Sequence, residues 1–231
     1  PAVWSARRVD TLKQMAVVFR NDIRLELRTR EFIPALTVLS LLMVIAFSLA
    51  FVVPAEDVPA VAAGVFWASL IFGTLVGGSR SFRAERDEGT MEALVLSPVL
   101  RAAIYLAKAS VNFIFLTVVG LLTLVGVAGL FDVGLIRWEM FALLLLGAAA
   151  FSSTGSLYGA VTANMRAREL LIPVLLLPVA LPILIAGVAA TLAILDATSN
   201  ASQLPWFGLL AGFCAIFASM GAILFDYVFG E

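Results

Sequence analysis

The sequence contains no histidine, one cysteine and only two lysines. Without histidine the chain lacks the commonest metal and haem ligand and the commonest general base near neutral pH. Its one cysteine, Cys214, lies in an apolar run, which excludes an internal disulfide and any cysteine-cluster metal site. Neither Lys13 nor Lys108 follows a glycine, and no Gly-x-x-x-x-Gly-Lys-Ser/Thr run occurs, so the chain is not expected to bind and hydrolyse nucleotide by itself. The serines sit in apolar runs without carboxylate partners, which leaves no nucleophile–base constellation and no enzyme in this chain alone. Charge is scarce as well, at 13% of residues with a net of −1. That total identifies no partner, and no nucleic-acid partner is expected.

What the chain has in excess is hydrocarbon. Of its 231 residues 62% are hydrophobic, and the mean hydropathy is +1.05. Such values mark a polytopic membrane protein. Six runs approach the ~20 residues that a bilayer core requires: about 33–53, 58–79, 102–130, 138–163, 170–194 and 206–228. The first two are joined by the tight turn Pro54-Ala55-Glu56-Asp57, and short polar breaks fall at 131–137 and 195–205. The expected fold class is an all-α polytopic membrane protein with six transmembrane helices, 32–231, preceded by an amphipathic segment, 1–31. In that segment Leu12, Met15, Phe19, Ile23 and Leu27 recur at three- and four-residue steps among seven basic residues. A basic amphipathic helix before a hydrophobic run lies in the cytoplasmic headgroup region, in contact with lipid; the alternative is a soluble helix packed on a partner. The segment is charged throughout with no apolar core, so no cleavable signal sequence is expected.

Fourteen of the fifteen lysines and arginines fall on one side of this arrangement, and Arg137 alone on the other. The positive-inside rule therefore places the N-terminus and the 80–101 and 164–169 loops in the cytoplasm, and six spans return the C-terminus there. Trp138 and Trp206 fall at outer boundaries, as interfacial anchors should. Gly73-x-x-x-Gly77, Gly155-x-x-x-Gly159 and Gly208-x-x-x-Gly212 are candidate contact faces, allowing a bundle and a homodimer without requiring either.

The longest polar interruption runs from Arg80 to Arg101 and carries Arg80, Arg83, Arg86 and Arg101 against Glu85, Asp87, Glu88 and Glu92. Charges this dense belong in water. Inside it a short amphipathic helix is expected. Thr90 suits an N-cap, Glu88 and Glu92 put negative charge near the helix's positive end, and Met91, Leu94 and Val95 make an apolar stripe. Ser97-Pro98 stops it. A soluble partner could push here; alternatively the carboxylates form a solvated face paired with Arg83 and Arg86.

Two further features are candidates for a conduit or hinge. Lys108 sits about two turns into the third span with Asn112 one turn deeper on the same face; the lysine is expected to snorkel to the cytoplasmic headgroups. The fifth span contains Pro173, Pro178 and Pro182, each of which removes a backbone hydrogen bond. It is either a flexible or discontinuous segment lining a conduit or a kinked helix that fits its neighbours. With so few ionisable groups in the spans, ion-coupled transport is poorly supported.

Residues Phe82 to Pro98 resemble the coupling-helix region of ABC-2-type exporter permeases, in the form acidic-x-x-x-Gly-Thr-x-Glu-x-Leu-x-x-x-Pro. The segment before the first span is similar to the connecting helix of that class. A closer resemblance is to the haem exporter protein B family, the permease subunit of the bacterial cytochrome c maturation system. Its Phe-x-x-acidic-x-x-acidic-Gly-x-x-Glu-x-Leu pattern is met by Phe82, Glu85, Glu88, Gly89, Glu92 and Leu94, with Thr90 and Met91 between them. Its Ala-Lys looks like Ala107-Lys108, and its double-proline span like Leu177, Pro178, Pro182, Leu184 and Ile185. The resemblance covers nearly the whole chain. It implies an inner-membrane subunit whose coupling helix docks on a separate ABC ATP-binding subunit, present as two copies. A haem-handling membrane protein, a small single-span subunit and a haem chaperone would complete the complex. ATP would be bound by the partner, and haem would pass at most as transient cargo. The methionines, Cys214 and tyrosines, the ligands left to this chain, do not cluster at helical spacing. Other readings are an ABC-2 permease for a lipid, glycan or drug, a non-transporting membrane scaffold, and a channel or ion-coupled carrier.

Overall fold

The computed structural model describes residues 15–24, 32–51, 53–80, 101–162, 165, 168–196 and 200–228, and among them it contains helices and no strand. Residues 15–24 form α1. Six long helices follow: α2 (Phe32–Ala50), α3 (Val58–Arg80), α4 (Arg101–Phe131), α5 (Trp138–Thr162), α6 (Arg168–Leu195) and α7 (Asn200–Val228). All six are long and apolar enough to cross a membrane. The chain is an all-helical, multi-pass membrane protein with the six spans expected. The largest displacement is at α7, which starts at Asn200 rather than 206 and runs through Pro205 near its beginning. Most of the amphipathic segment, the whole of 81–100 and the centre of the 164–169 loop lie outside the described residues.

Composition decides which helices sit inside. Where lipid is as apolar as leucine, helices associate through close packing and small residues. The second half of α5 reads Phe151-Ser-Ser-Thr-Gly-Ser-Leu157, and every one of those residues is buried. This helix packs against α3, α4, α6 and α7, while α2 lies against α3 and α4 on one flank. Leucines and isoleucines along α2 and α7, among them Leu42, Leu49, Ile216 and Ile223, face outward, where hydrocarbon is the solvent. Several hydroxyls in the dry interior are satisfied within their own helices. Ser69 donates to the Val65 carbonyl, Thr74 to Leu70, Thr123 to Val119 and Thr154 to Ala150, each at 2.8 Å.

Of the glycine pairs, those on α3 and α5 are contacts. A methyl at Gly73 would meet Leu116 on α4, and one at Gly78 would press on the Gly155 carbonyl at 2.8 Å. On the α3 side this backbone contact with α5 is thus made by Gly78, one residue past the motif. Gly208 and Gly212 have nothing within 4 Å of where a side chain would start, so among the described residues nothing packs against that pair there. A larger void is closed by Trp67 of α3, whose indole lies between Gly147 of α5 and Gly187 of α6 and donates to Thr191 Oγ1 at 3.0 Å.

α6 is continuous through Pro173, Pro178 and Pro182. The discontinuous alternative is therefore not what the chain adopts. Ile172, Leu176, Ala180 and Ile183 keep one buried stripe across all three prolines, which holds the helix together although each lacks an N–H donor. Pro178 itself is exposed.

At the opposite end from the 81–100 loop, α4 stops at Asp132, which takes the left-handed conformation (φ 51°) that a short polar side chain tolerates. The following turn drops Leu135 into the core with no exposure. Trp138 is 74% exposed, whereas Trp206 is half-buried and packs against the core. Arg137, the lone basic residue of this side, donates from Nη1 to the Ile194 carbonyl at 2.8 Å. It caps the negative end of α6, where a cation is favourable. Arg137→Ala should cost about 1 kcal/mol, read as faster hydrogen exchange confined to the last turn of α6 with global unfolding little changed.

Candidate coupling site beneath the 81–100 loop

The loop joins α3 to α4, so whatever moves it acts first on Arg80 and Arg101. The expected docking residues Phe82, Glu85, Glu88, Gly89, Thr90, Met91, Glu92, Leu94 and Pro98 all lie outside the described residues. The structure shows the base on which they stand: the first three turns of α4.

Those turns are unusually well held for a helix that has just left water. Ala103, Ile104, Tyr105, Ala107, Lys108 and Ala109 are all buried. Tyr105 crosses to two other helices at once. Its hydroxyl lies 2.9 Å from the Ser153 carbonyl of α5 and 3.1 Å from the Phe217 carbonyl of α7. Its ring rests on Gly221, where any side chain would overlap it. Because a phenol has one proton, it is shared between the two acceptors. Tyr105→Phe should cost about 1 kcal/mol and loosen α7. Amide hydrogen exchange in the turns of α7 around Phe217 should be faster when Tyr105 is phenylalanine, and an unchanged rate would show that the hydroxyl does not hold α7.

One turn on, Lys108 departs from expectation. It is 3% exposed and does not snorkel. Its Nζ lies 3.2 Å from Asp22 Oδ2, a carboxylate 86 residues earlier on α1. Snorkelling stabilises a cation that has no nearer partner; here α1 lies over the helix and brings one. Phe19 and Ile23, which flank Asp22 on the same face, pack against Val111, Phe115 and Leu36. Arg20 and Arg24 point away from the bundle.

Asn112, one turn deeper, is 8% exposed and donates from Nδ2 to Ser156 Oγ of α5 at 2.8 Å. Beside it a cavity of about 10 Å³, lined by Gly77, Gly78, Thr74, Ser152 and Leu36 among others, has room for about one water. Tyr105, Lys108 and Asn112 thus fasten one short stretch of α4 to α7, α1 and α5. The prolines Pro173, Pro178 and Pro182 are on α6 and take no part in this cluster.

Sequence reasoning missed Asp22, Tyr105, Ser156 and Gly221. For Asp22 a signal existed: helical spacing places it on the apolar stripe between Phe19 and Ile23, where an acidic residue needs a partner. For Tyr105 and Gly221 there was none, since an apolar helix offers no means of telling which small residue faces which ring.

The chain is similar to known proteins over this same frame. A family model described as CcmB protein matches residues 13–225, from just before α1 into the last turns of α7. A protein named heme exporter protein B from Rhodobacter capsulatus is 31% identical over 180 residues, which is 73% of this chain and 79% of that protein. The protein of the same name from Pseudomonas aeruginosa is 30% identical over 152 residues, 64% of this chain and 66% of that one. A third, from Haemophilus influenzae, is 30% identical over 128 residues, 54% and 57% respectively. With α1, the loop and the six spans inside the matched range, the chain belongs to the CcmB protein family.

Proposed function

We propose that this chain is the membrane-spanning permease subunit of an ABC transporter in bacterial cytochrome c maturation. ATP bound and hydrolysed on a separate subunit would drive haem export or the release of a haem-loaded chaperone. The relatives' name, heme exporter protein B, supplies the substrate class. The observation that carries the mechanical part is the fastening of the first turns of α4. A loop that receives force is useful only if the helix it pulls on is tied to the rest of the bundle, and Tyr105 and Asn112 tie this one to α5 and α7.

In the proposed cycle two copies of the ATPase close on nucleotide, and the motion passes through a helix within 88–98 into α3 and α4. The bundle then rearranges toward the outer face. Gly89 permits the turn, Met91 and Leu94 offer apolar contact, and Glu88 and Glu92 meet basic or polar groups on the ATPase. Phe82, Glu85, Thr90 and Pro98 frame that surface, and α6 with its three prolines moves with the bundle. Haem is cargo and not a resident group of this chain, and ATP belongs to the partner.

The test is gentle extraction of the tagged protein from native membranes. An ATP-binding subunit co-purifying with haem-containing membrane proteins is the expected result. An ATPase without them would leave an ABC permease of other cargo. No ATPase in several mild detergents would overturn the reading.

A further inference from the structure

A proline inside a helix leaves the carbonyl four residues before it without its usual donor. In α6, Pro178 frees the Val174 carbonyl in this way, and Pro182 frees that of Pro178 one turn later. Both freed groups belong to the outward face of the helix: Val174 is 67% exposed, and Pro178 is exposed as well. Among the described residues no side chain donates to either. An acceptor without a donor is costly in hydrocarbon, so lipid is a poor neighbour for this face. Water has no polar side chain to hold it there, since Leu170, Leu177, Leu181 and Ile185 make up much of the rest. Two backbone acceptors set in an apolar stripe suit a neighbouring helix that brings a hydroxyl donor.

The chain itself carries such a helix. α7 packs beside α6, and its outward face holds Ala211, Ala215 and Ser219, all exposed. Only a few residues separate Leu195 from Asn200, so depth along both helices can be counted from there. At 1.5 Å per residue, Pro178 lies about 26 Å from that end and Val174 about 32 Å, while Ser219 lies about 29 Å from it. The donor falls between the two acceptors. Nearer the same end, Leu181 at about 21 Å is level with Ala215 at about 22 Å, a large side chain against a small one. Within one copy both faces look outward, so the match is available only between copies. A two-fold axis along the membrane normal preserves depth and sets α6 of each copy against α7 of the other. We propose that two copies of this chain associate through α6 and α7, with the proline-freed carbonyls of one accepting a hydrogen bond from Ser219 of the other, and reciprocally. The alanines of α7 let the backbones approach, and the hydroxyl fixes their depth. This goes beyond the transport reading and stands whether or not an ATPase docks on the 81–100 loop.

Cross-linking and self-association test it in the full chain. Two forms, each with Cys214→Ser and a different tag, are expressed together in membranes, one with Leu181→Cys and the other with Ala215→Cys. Each holds a single thiol, so a disulfide between the two tags can only join two copies. Mild oxidation should form it at least about tenfold faster than when Leu42→Cys, on the outward face of α2, replaces Leu181→Cys. The hydroxyl is tested by Förster transfer between labelled copies in liposomes. Ser219→Ala should weaken self-association about three- to tenfold, one bond being lost on each copy. With Pro178→Ala and Pro182→Ala both carbonyls regain a helical donor, so in that background Ser219→Ala should change nothing. A face that associated by shape alone would not respond to the prolines in this way. Absence of the mixed disulfide, faster cross-linking from α2, or an effect of Ser219→Ala that is the same in both backgrounds would overturn the proposal.

Discussion

Reversing the charge at both Glu88 and Glu92 should abolish coupling between nucleotide hydrolysis and cytochrome c assembly while leaving the protein in the membrane. Insertion depends on six apolar spans, and neither residue is in one. Docking of an ATPase depends on complementary charge. Loss of one desolvated interfacial pair costs about 2–5 kcal/mol, and here two attractive contacts become repulsive. A loss of roughly a thousandfold or more in docking follows. If instead these carboxylates only pair with Arg83 and Arg86 in water, exposed pairs contribute about 0–1 kcal/mol each, and the double variant would change coupling by only a few fold. ATPase stimulation in reconstituted complexes and the amount of holocytochrome c in membranes read the difference directly. Unchanged values in both would remove the 81–100 loop from the mechanism.

The second large effect concerns stability. Trp67→Ala should destabilise the bundle by about 3–5 kcal/mol. The indole has no exposed surface, contacts Phe66 and Phe151, and occupies a slot made by the absence of side chains at Gly147 and Gly187. Removing it leaves a cavity between α3, α5 and α6 that cannot collapse, because the helices are held apart by their other contacts. It leaves Thr191 without an indole donor, although the threonine still donates to the Gly187 carbonyl at 2.8 Å. The opposite change, Gly147→Val, should be at least as damaging, because added methyls overlap the ring itself. Reversible unfolding in mixed micelles measures both. A Trp67→Ala protein within about 1 kcal/mol of wild type would mean that the slot closes, and that α6 is free to slide on α3.

The two predictions differ in what was needed to make them. Glu88 and Glu92 are proposed from the sequence alone, because an acidic residue at fixed spacing from a glycine and a leucine is a pattern along the chain. Trp67 was not singled out, because an aromatic in an apolar run looks the same whether it faces lipid or a glycine slot. The burial of α5 shows the same limit. Its run of serine, threonine and glycine was visible, yet only the neighbouring helices show that this is the face on which four of them converge.

The prolines of α6 mark the boundary from the other side. Each removes a donor whatever surrounds it, so an interrupted helix was a fair expectation. The buried stripe from Ile172 through Ile194 overrides it by packing the helix against α3 and α5 on both sides of each proline.

By itself the sequence determined that the chain is membrane-embedded, where its six spans lie, and which loop is too charged for hydrocarbon. These are properties of composition summed over some twenty residues, and the bilayer reads them without reference to partners. Only the tertiary structure decided that Lys108 faces Asp22 instead of the headgroups, that Tyr105 joins three helices, and that Gly78 and Gly155 meet. In an apolar helix the faces are alike in hydropathy, so which one turns inward is settled by the shapes and few polar groups of residues far away in the chain.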